Sequence, residues 1–213
     1  MADRNKFERK LPDDRRRILI AATLKCLSEE GQAGMSVRRI SREAGISVGL
    51  INHHYASKED LVAQAYETLT VSLLDYSRQA VDREEGGARQ RLAALLRSVF
   101  YGPLLDPGVL RCWLVFWGMI QKGSVLKEVH DRTYGDYRLY VEGLLRDLAA
   151  EQKMPLLDIR LTAIGLLALV DGLWIEWCLN QTTFSPEEAL RLCEAWIDAL
   201  VLRNAPAAPA AKA

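Results

Sequence analysis

Cysteine is sparse and unpaired in this 213-residue chain: Cys26, Cys112, Cys178 and Cys193 stand singly, with no CxxC pair and no Cys/His ladder. Neither a disulfide framework nor a zinc site is indicated, and the pattern fits a reduced compartment. Histidine numbers only three, and net charge is nil, because 28 basic side chains cancel 28 acidic ones. Bulk electrostatics therefore names no partner. Strand signals are scarce, with no run of alternating β-branched residues and no Asn-Gly or Asp-Gly hairpin turn. No internal repeat is visible. An HExxH helix and a phosphate-cradling glycine loop are missing as well, and no reactive constellation marks the chain as an enzyme.

Two further shortages bear on location. The first 17 residues carry Arg4, Lys6, Arg9, Lys10, Arg15, Arg16 and Arg17, with no apolar stretch of signal-peptide length behind them. The most apolar run, Leu161 to Leu179, is interrupted by Asp171 and Glu176 and reads as too short and too polar for a membrane span. A cytoplasmic protein without a membrane partner is expected. What the chain does have is apolar content, at 49% of residues, with 14 Gly and 7 Pro. That composition excludes disordered and collagen-like chains, and folding at this length buries roughly 70% of the extended-chain surface.

Helical punctuation runs through the whole chain, and the expected fold class is all-α. Nine helices are predicted, at about 13–30, 36–45, 47–55, 57–82, 88–100, 107–121, 124–150, 158–180 and 185–202. Asp13 and Asp14 suit the start of the first and Gly31 its end. Ser57-Lys58-Glu59-Asp60 and Ser185-Pro186-Glu187-Glu188 have the form of capping boxes. The Ala/Pro-rich stretch from Asn204 is expected to be a disordered tail.

Ser36 to Tyr55 carries the most chemistry. Two helices of about eight residues flank Gly45-Ile46-Ser47, where glycine permits the positive φ of a tight inter-helix turn and Ile46 fills the angle between them. Ser47 is suited to cap the third helix and to meet a phosphate. Val48 and Gly49 in its first turn are small enough to approach base edges. Ile51 and Tyr55, four apart, face inward, leaving Asn52, His53 and His54 outward. Lys58, Arg38, Arg39 and the basic arm before Asp13 are placed to neutralise phosphates. Residues 1–60 hold 12 Lys/Arg against 9 Asp/Glu, a small positive excess on the side of this motif. His53 and His54 point about 100° apart on a helix, so they share no metal ion, and neither metal nor cofactor is expected.

The stretch from Ser36 to Leu61, ending in His54-Tyr55-Ala56-Ser57-Lys58-Glu59-Asp60-Leu61, resembles the DNA-binding domain of the TetR family of bacterial repressors. The resemblance implies an all-helical homodimer whose third helix reads the major groove of a double-stranded, palindromic operator. It also implies a C-terminal domain that binds a small-molecule inducer. The implied division is a helix-turn-helix domain with its arm over 1–56, a ligand-binding and dimerisation domain over 57–203, and the tail over 204–213. Asn52 departs from the tyrosine common at that position, which leaves base contact or no contact as its alternatives.

Trp113-Leu114-Val115-Phe116-Trp117 and Leu169-Val170-Asp171-Gly172-Leu173-Trp174 resemble the BetI group, whose named member represses glycine-betaine synthesis genes and responds to choline. Trp113 and Trp117 share one helix face by spacing, Trp174 and Trp177 another. They form either an aromatic cage for a quaternary ammonium, with Asp171 or Glu176 as its counter-charge and Tyr134, Tyr137 and Tyr140 completing it, or packing in the core and dimer interface. The last two helices offer Leu166, Leu169, Val170 and Leu173, then Leu192, Trp196, Ile197 and Leu200. These serve a two-fold four-helix bundle or complete the monomer core.

Overall fold

A computed structural model describes residues 12–154 and 157–204. The basic arm before Asp13 and the tail after Asn204 lie outside the described residues, except that Pro12 already belongs to the first helix. Among the described residues there are nine α-helices and no strand. They are α1 (Pro12–Glu30), α2 (Val37–Ala44), α3 (Val48–His54), α4 (Lys58–Asp82), α5 (Ala88–Tyr101), α6 (Pro107–Met119), α7 (Val125–Glu151), α8 (Ile159–Leu179) and α9 (Pro186–Asn204). Two short 3-10 turns, Gly31–Gly34 and Pro103–Leu105, are the only regular segments there that the sequence reading omits.

Short polar side chains start these helices. Ser36, Ser47, Ser57 and Ser124 accept the amides of Arg39, Leu50, Asp60 and Lys127, while Asp106 and Asp158 cap α6 and α8. Each such cap contributes about 1 kcal/mol. The box at α9 is reciprocal: the Ser185 amide donates to Glu188 Oε2 at 2.8 Å, and the Glu188 amide to Ser185 Oγ at 3.2 Å. That at α4 is not, because the Asp60 carboxylate accepts the Ser57 hydroxyl at 2.9 Å instead of its amide. Asp13 and Asp14 fall inside the first turn of α1, not at its cap, and Asp14 pairs with Arg17. Gly31 and Gly45 adopt φ of +63° and +62°, ending α1 and α2 in the left-handed region glycine tolerates.

Two apolar clusters organise the chain. The first gathers Leu19, Ala22 and Cys26 of α1, Ile40 of α2, Ile51 of α3, Tyr55, and Leu61 of α4. The second holds the inner faces of α4 to α9, together with Leu27 and Met35. The amino-terminal three helices thus share α1 and the start of α4 with the larger body.

Helix α8, at 21 residues and a mean hydropathy of 1.6, is long and apolar enough to cross a membrane by length and composition, contrary to the sequence reading. Its inner face nonetheless joins the core through Thr162, Ala163, Leu166, Leu167, Val170 and Trp174. Its outer face is an apolar stripe of Leu161, Ile164, Ala168, Gly172, Ile175 and Leu179, all exposed. Of the residues offered for the subunit interface or the monomer core, Leu166, Val170 and Ile197 are buried within one chain, Leu169, Leu173, Trp196 and Leu200 are half-buried, and Leu192 is exposed.

Candidate functional site

The reading head is built on α2 and α3. The Ser41 hydroxyl donates to the Ile46 carbonyl at 2.5 Å, and half-buried Ile46, like Val37 and Ala44, packs against the amino-terminal cluster, which fixes the turn. Helix α3 is anchored by Ile51 and Tyr55, which are 2% and 9% exposed. Anchoring those two residues turns Val48, Gly49, Asn52 and His53 outward. A Cβ added at Gly49 would meet nothing within 4 Å. No acidic side chain lies on α3. Ser47 caps the helix through its Oγ, which accepts the Leu50 amide at 3.3 Å. The run Gly45-Ile46-Ser47-Val48-Gly49 also spells the GxSxG string of α/β-hydrolases. Here it joins two helices instead of a strand and a helix, so the string lacks the strained elbow its chemistry requires.

Two expected contact residues are otherwise engaged. Arg39 donates from Nε to Glu30 at 2.6 Å, from Nη1 to Glu43 at 2.8 Å and from Nη2 to Glu29 at 3.1 Å. Its guanidinium binds α2 to α1 and is not free for a phosphate, while its neighbour Arg38 is exposed. Glu43 also accepts Lys25 at 2.6 Å, and those hydrogen bonds, from Lys25 first and Arg39 next, hold its carboxyl below the usual range. His54 is half-buried rather than outward, with Nε2 shut off from solvent and unpartnered. Burial first, and then the charges of His53, Arg16 and Arg15, lowers its pKa, so it adds no positive charge at neutral pH. Lys58 stands at the start of α4, its Nζ 3.9 Å from Glu59.

The second feature is a cavity of about 530 Å³, mouth included, enclosed by α4, α5, α6, α7 and α8. Trp113, Trp117, Tyr137, Asp171 and Trp174 of the expected set line it, as does Tyr134. Trp113 stands 5.7 Å from Trp117 and 6.3 Å from Trp174 between ring centroids. Asp171 accepts the Tyr134 hydroxyl at 2.6 Å, and burial pushes its carboxyl above the usual range. Burial likewise raises the Tyr134 and Tyr137 phenols, so both are protonated at neutral pH. The indole N–H groups of Trp113, Trp117 and Trp174 are buried with no hydrogen-bond partner. A buried donor left unmet costs about 1–3 kcal/mol.

Three of the expected cavity groups lie elsewhere. Trp177 packs against Phe184 at 5.6 Å, Glu176 accepts the Thr183 hydroxyl at 3.3 Å, and Tyr140 lies under the Arg78 guanidinium at 5.4 Å. Conversely, Tyr66 of α4 escaped the sequence reading: fully buried, it lines the cavity beside Trp113 and bonds His130 Nδ1 at 2.7 Å. Its spacing to Leu69 and Leu73 on the inner face of α4 was the available signal.

Residues 19–65 match the family of bacterial regulatory proteins of the tetR type, and residues 88–202 match the family described as BetI-type transcriptional repressor, C-terminal. Among curated relatives, the transcriptional regulator BetI 2 of Chromohalobacter salexigens is 30% identical over 88% of each chain. BetI of Ectopseudomonas mendocina is 31% identical over 86% of this chain and 92% of its own. A solved structure of a Pseudomonas aeruginosa PAO1 protein described as a transcriptional regulator is 47% identical, with a TM-score of 0.86 over 93% of this chain and 95% of that one. A Saccharomonospora viridis regulator solved in complex with choline shares the fold, with a TM-score of 0.76 at 20% identity over 87% of this chain and 96% of its own. The chain belongs to the TetR family of bacterial transcriptional regulators, which are not enzymes, and its C-terminal domain is of the BetI type.

Proposed function

We propose that this regulator is a cytoplasmic homodimeric repressor that holds a palindromic double-stranded operator through α3 and releases it when an organic cation enters the cavity. Val48 and Gly49 read base edges in the major groove, with Asn52 and His53 as short polar reach. Ser47, Arg38, Lys58 and the amino-terminal arm hold the phosphates. His54 and Arg39 take structural roles. Residues 1–56 then form the reading head and 57–203 the ligand-binding and dimerising body. The outer stripe of α8, from Leu161 to Leu179, pairs with its copy across a two-fold axis.

The cavity carries this reading furthest: three tryptophans and a half-buried carboxylate suit a quaternary ammonium such as choline. Support also comes from the wiring. Arg111 on α6 donates to the Ser28 carbonyl of α1 at 2.6 Å, one residue away from the Cys112-Trp113 pair. A ligand that moves Trp113 thus moves a helix tied to the head, and it shifts the population by the difference in its affinities for the two arrangements. Calorimetry with choline, paired with a gel shift on DNA upstream of the regulator's own gene, tests this. Heat on mixing and loss of the shifted band are expected. No heat and no release would remove the cation while leaving the repressor.

A further inference from the structure

A hydrogen-bonded pair of serines links the wall of the cavity to the floor of a surface groove. Ser77 of α4 is 3% exposed and lines the cavity, together with Leu73, Leu74 and Val99 of α5. Ser98 of α5, 5% exposed, lines a different space, an open groove of about 690 Å³, solvent included, along the α4–α5 seam. Tyr76 and Tyr101 line that groove with exposed rings. The two hydroxyls meet at 2.9 Å, in the only side-chain hydrogen bond that joins α4 to α5 among the described residues. That bond can part without stranding a donor. Ser98 Oγ already lies 2.7 Å from the Leu95 carbonyl of its own helix, so its proton has a second acceptor. A serine within a helix can return its proton to the carbonyl of the preceding turn, and the same option serves Ser77. Opening the seam therefore escapes the penalty of an unmet buried donor.

The other side of the cavity is closed differently. Trp113, Trp117 and Trp174 line both the cavity and a crevice between α6 and α8 that takes in Ile175 and Cys178. Passage there displaces large packed rings, and Ile175 lies on the stripe that pairs with the second subunit in the proposed dimer. We infer that a ligand reaches the cavity through the α4–α5 seam, with the Ser77–Ser98 pair as its latch and the groove beside Tyr76 and Tyr101 as its vestibule. This rests on the reading that the cavity takes a ligand, and it is independent of which ligand that is.

Ser77→Cys with Ser98→Cys makes the seam lockable, because two Oγ atoms in contact sit where two sulfurs can join. The full chain carrying this pair is compared oxidised and reduced. Cys178→Ser removes the half-buried native thiol, and Trp177→Phe with Trp196→Phe leaves only the cavity tryptophans to emit. Two processes are followed by that emission: stopped-flow binding of choline, and quenching by acrylamide, a neutral molecule that needs no binding site. A barred route slows arrival and departure alike. Oxidation is therefore expected to lower choline's association and dissociation rates about tenfold each, with Kd unchanged, and the acrylamide quenching constant about twofold. Ser98→Ala, which needs no crosslink, is expected to raise both rates several-fold at constant Kd and to increase quenching. Rates indifferent to the crosslink and to Ser98→Ala overturn the inference and leave the cavity reading intact. A change in dissociation alone, and so in Kd, overturns it too, because the pair would then belong to the site. If choline does not bind, the cation reading falls and acrylamide decides: quenching suppressed by oxidation upholds the route, and quenching left unchanged overturns it.

Discussion

A guanidinium touching three carboxylates cannot reach a phosphate without abandoning one of them, and this divides two arginines that stand side by side. Arg39→Ala is expected to lower the melting temperature by unfastening α2 from Glu29 and Glu30 of α1. Arg38→Ala should leave melting unchanged, weaken binding to every DNA sequence several-fold and reduce the salt slope by about one. Parallel thermal melts and salt titrations of the two variants check this pair. Their different surroundings were illegible in sequence, because Glu29 and Glu30 reach Arg39 only through the crossing of α1 and α2. In the cavity, burial raises the Asp171 pKa, so its charge is lost as pH falls, and lost sooner than from an ordinary carboxylate. Affinity for a cation is expected to decline on acidification while pH is still above the usual carboxylate range. The linkage to stability has the opposite sign: a raised folded pKa means that the ionised form destabilises the empty protein at neutral pH. Asp171→Asn should therefore raise the melting temperature while abolishing cation binding, read by scanning calorimetry with and without choline.

At the scale of the helix, α3 separates holding from reading. Ile51 faces the core at 2% exposure, so Ile51→Ala is expected to cost the head about 2–5 kcal/mol. Gly49 faces outward with open space around its missing Cβ, so Gly49→Ala should leave the fold intact or firmer by about 1 kcal/mol. The same substitution should change sequence preference, measured as relative affinity for a panel of single-base operator variants. A uniform loss across the panel would show that Gly49 contributes only proximity. Helix boundaries were legible because serine, aspartate and glycine mark them chemically, as at Ser36, Gly45 and Asp158. Helix faces were less so. Along α8 nearly every residue from Leu161 to Leu179 is apolar, and periodicity cannot distinguish the buried side from the exposed one. For that reason spacing alone leaves both roles open for Trp177 and for Leu166, and the three-dimensional packing sets Trp177 against Phe184 and Leu166 in the core of one chain.

For the whole molecule, the outer stripe of α8 is a continuous apolar surface that one chain leaves uncovered among the described residues. Ala168 lies at its middle and is exposed, so Ala168→Glu should not disturb the monomer. It is expected to halve the mass seen by light scattering. It should also weaken operator binding by about 10²–10⁴-fold, the advantage that joining two reading heads confers. The account's central claim joins α3 to the cavity, and a hydroxyl-radical footprint on the DNA upstream of the regulator's own gene, run with and without choline, tests it most directly. Two protected patches on one face of the duplex, centred about 10–10.5 base pairs apart and lost together when choline is added, are expected. Protection that is absent throughout, or that persists unchanged at saturating choline, would contradict it.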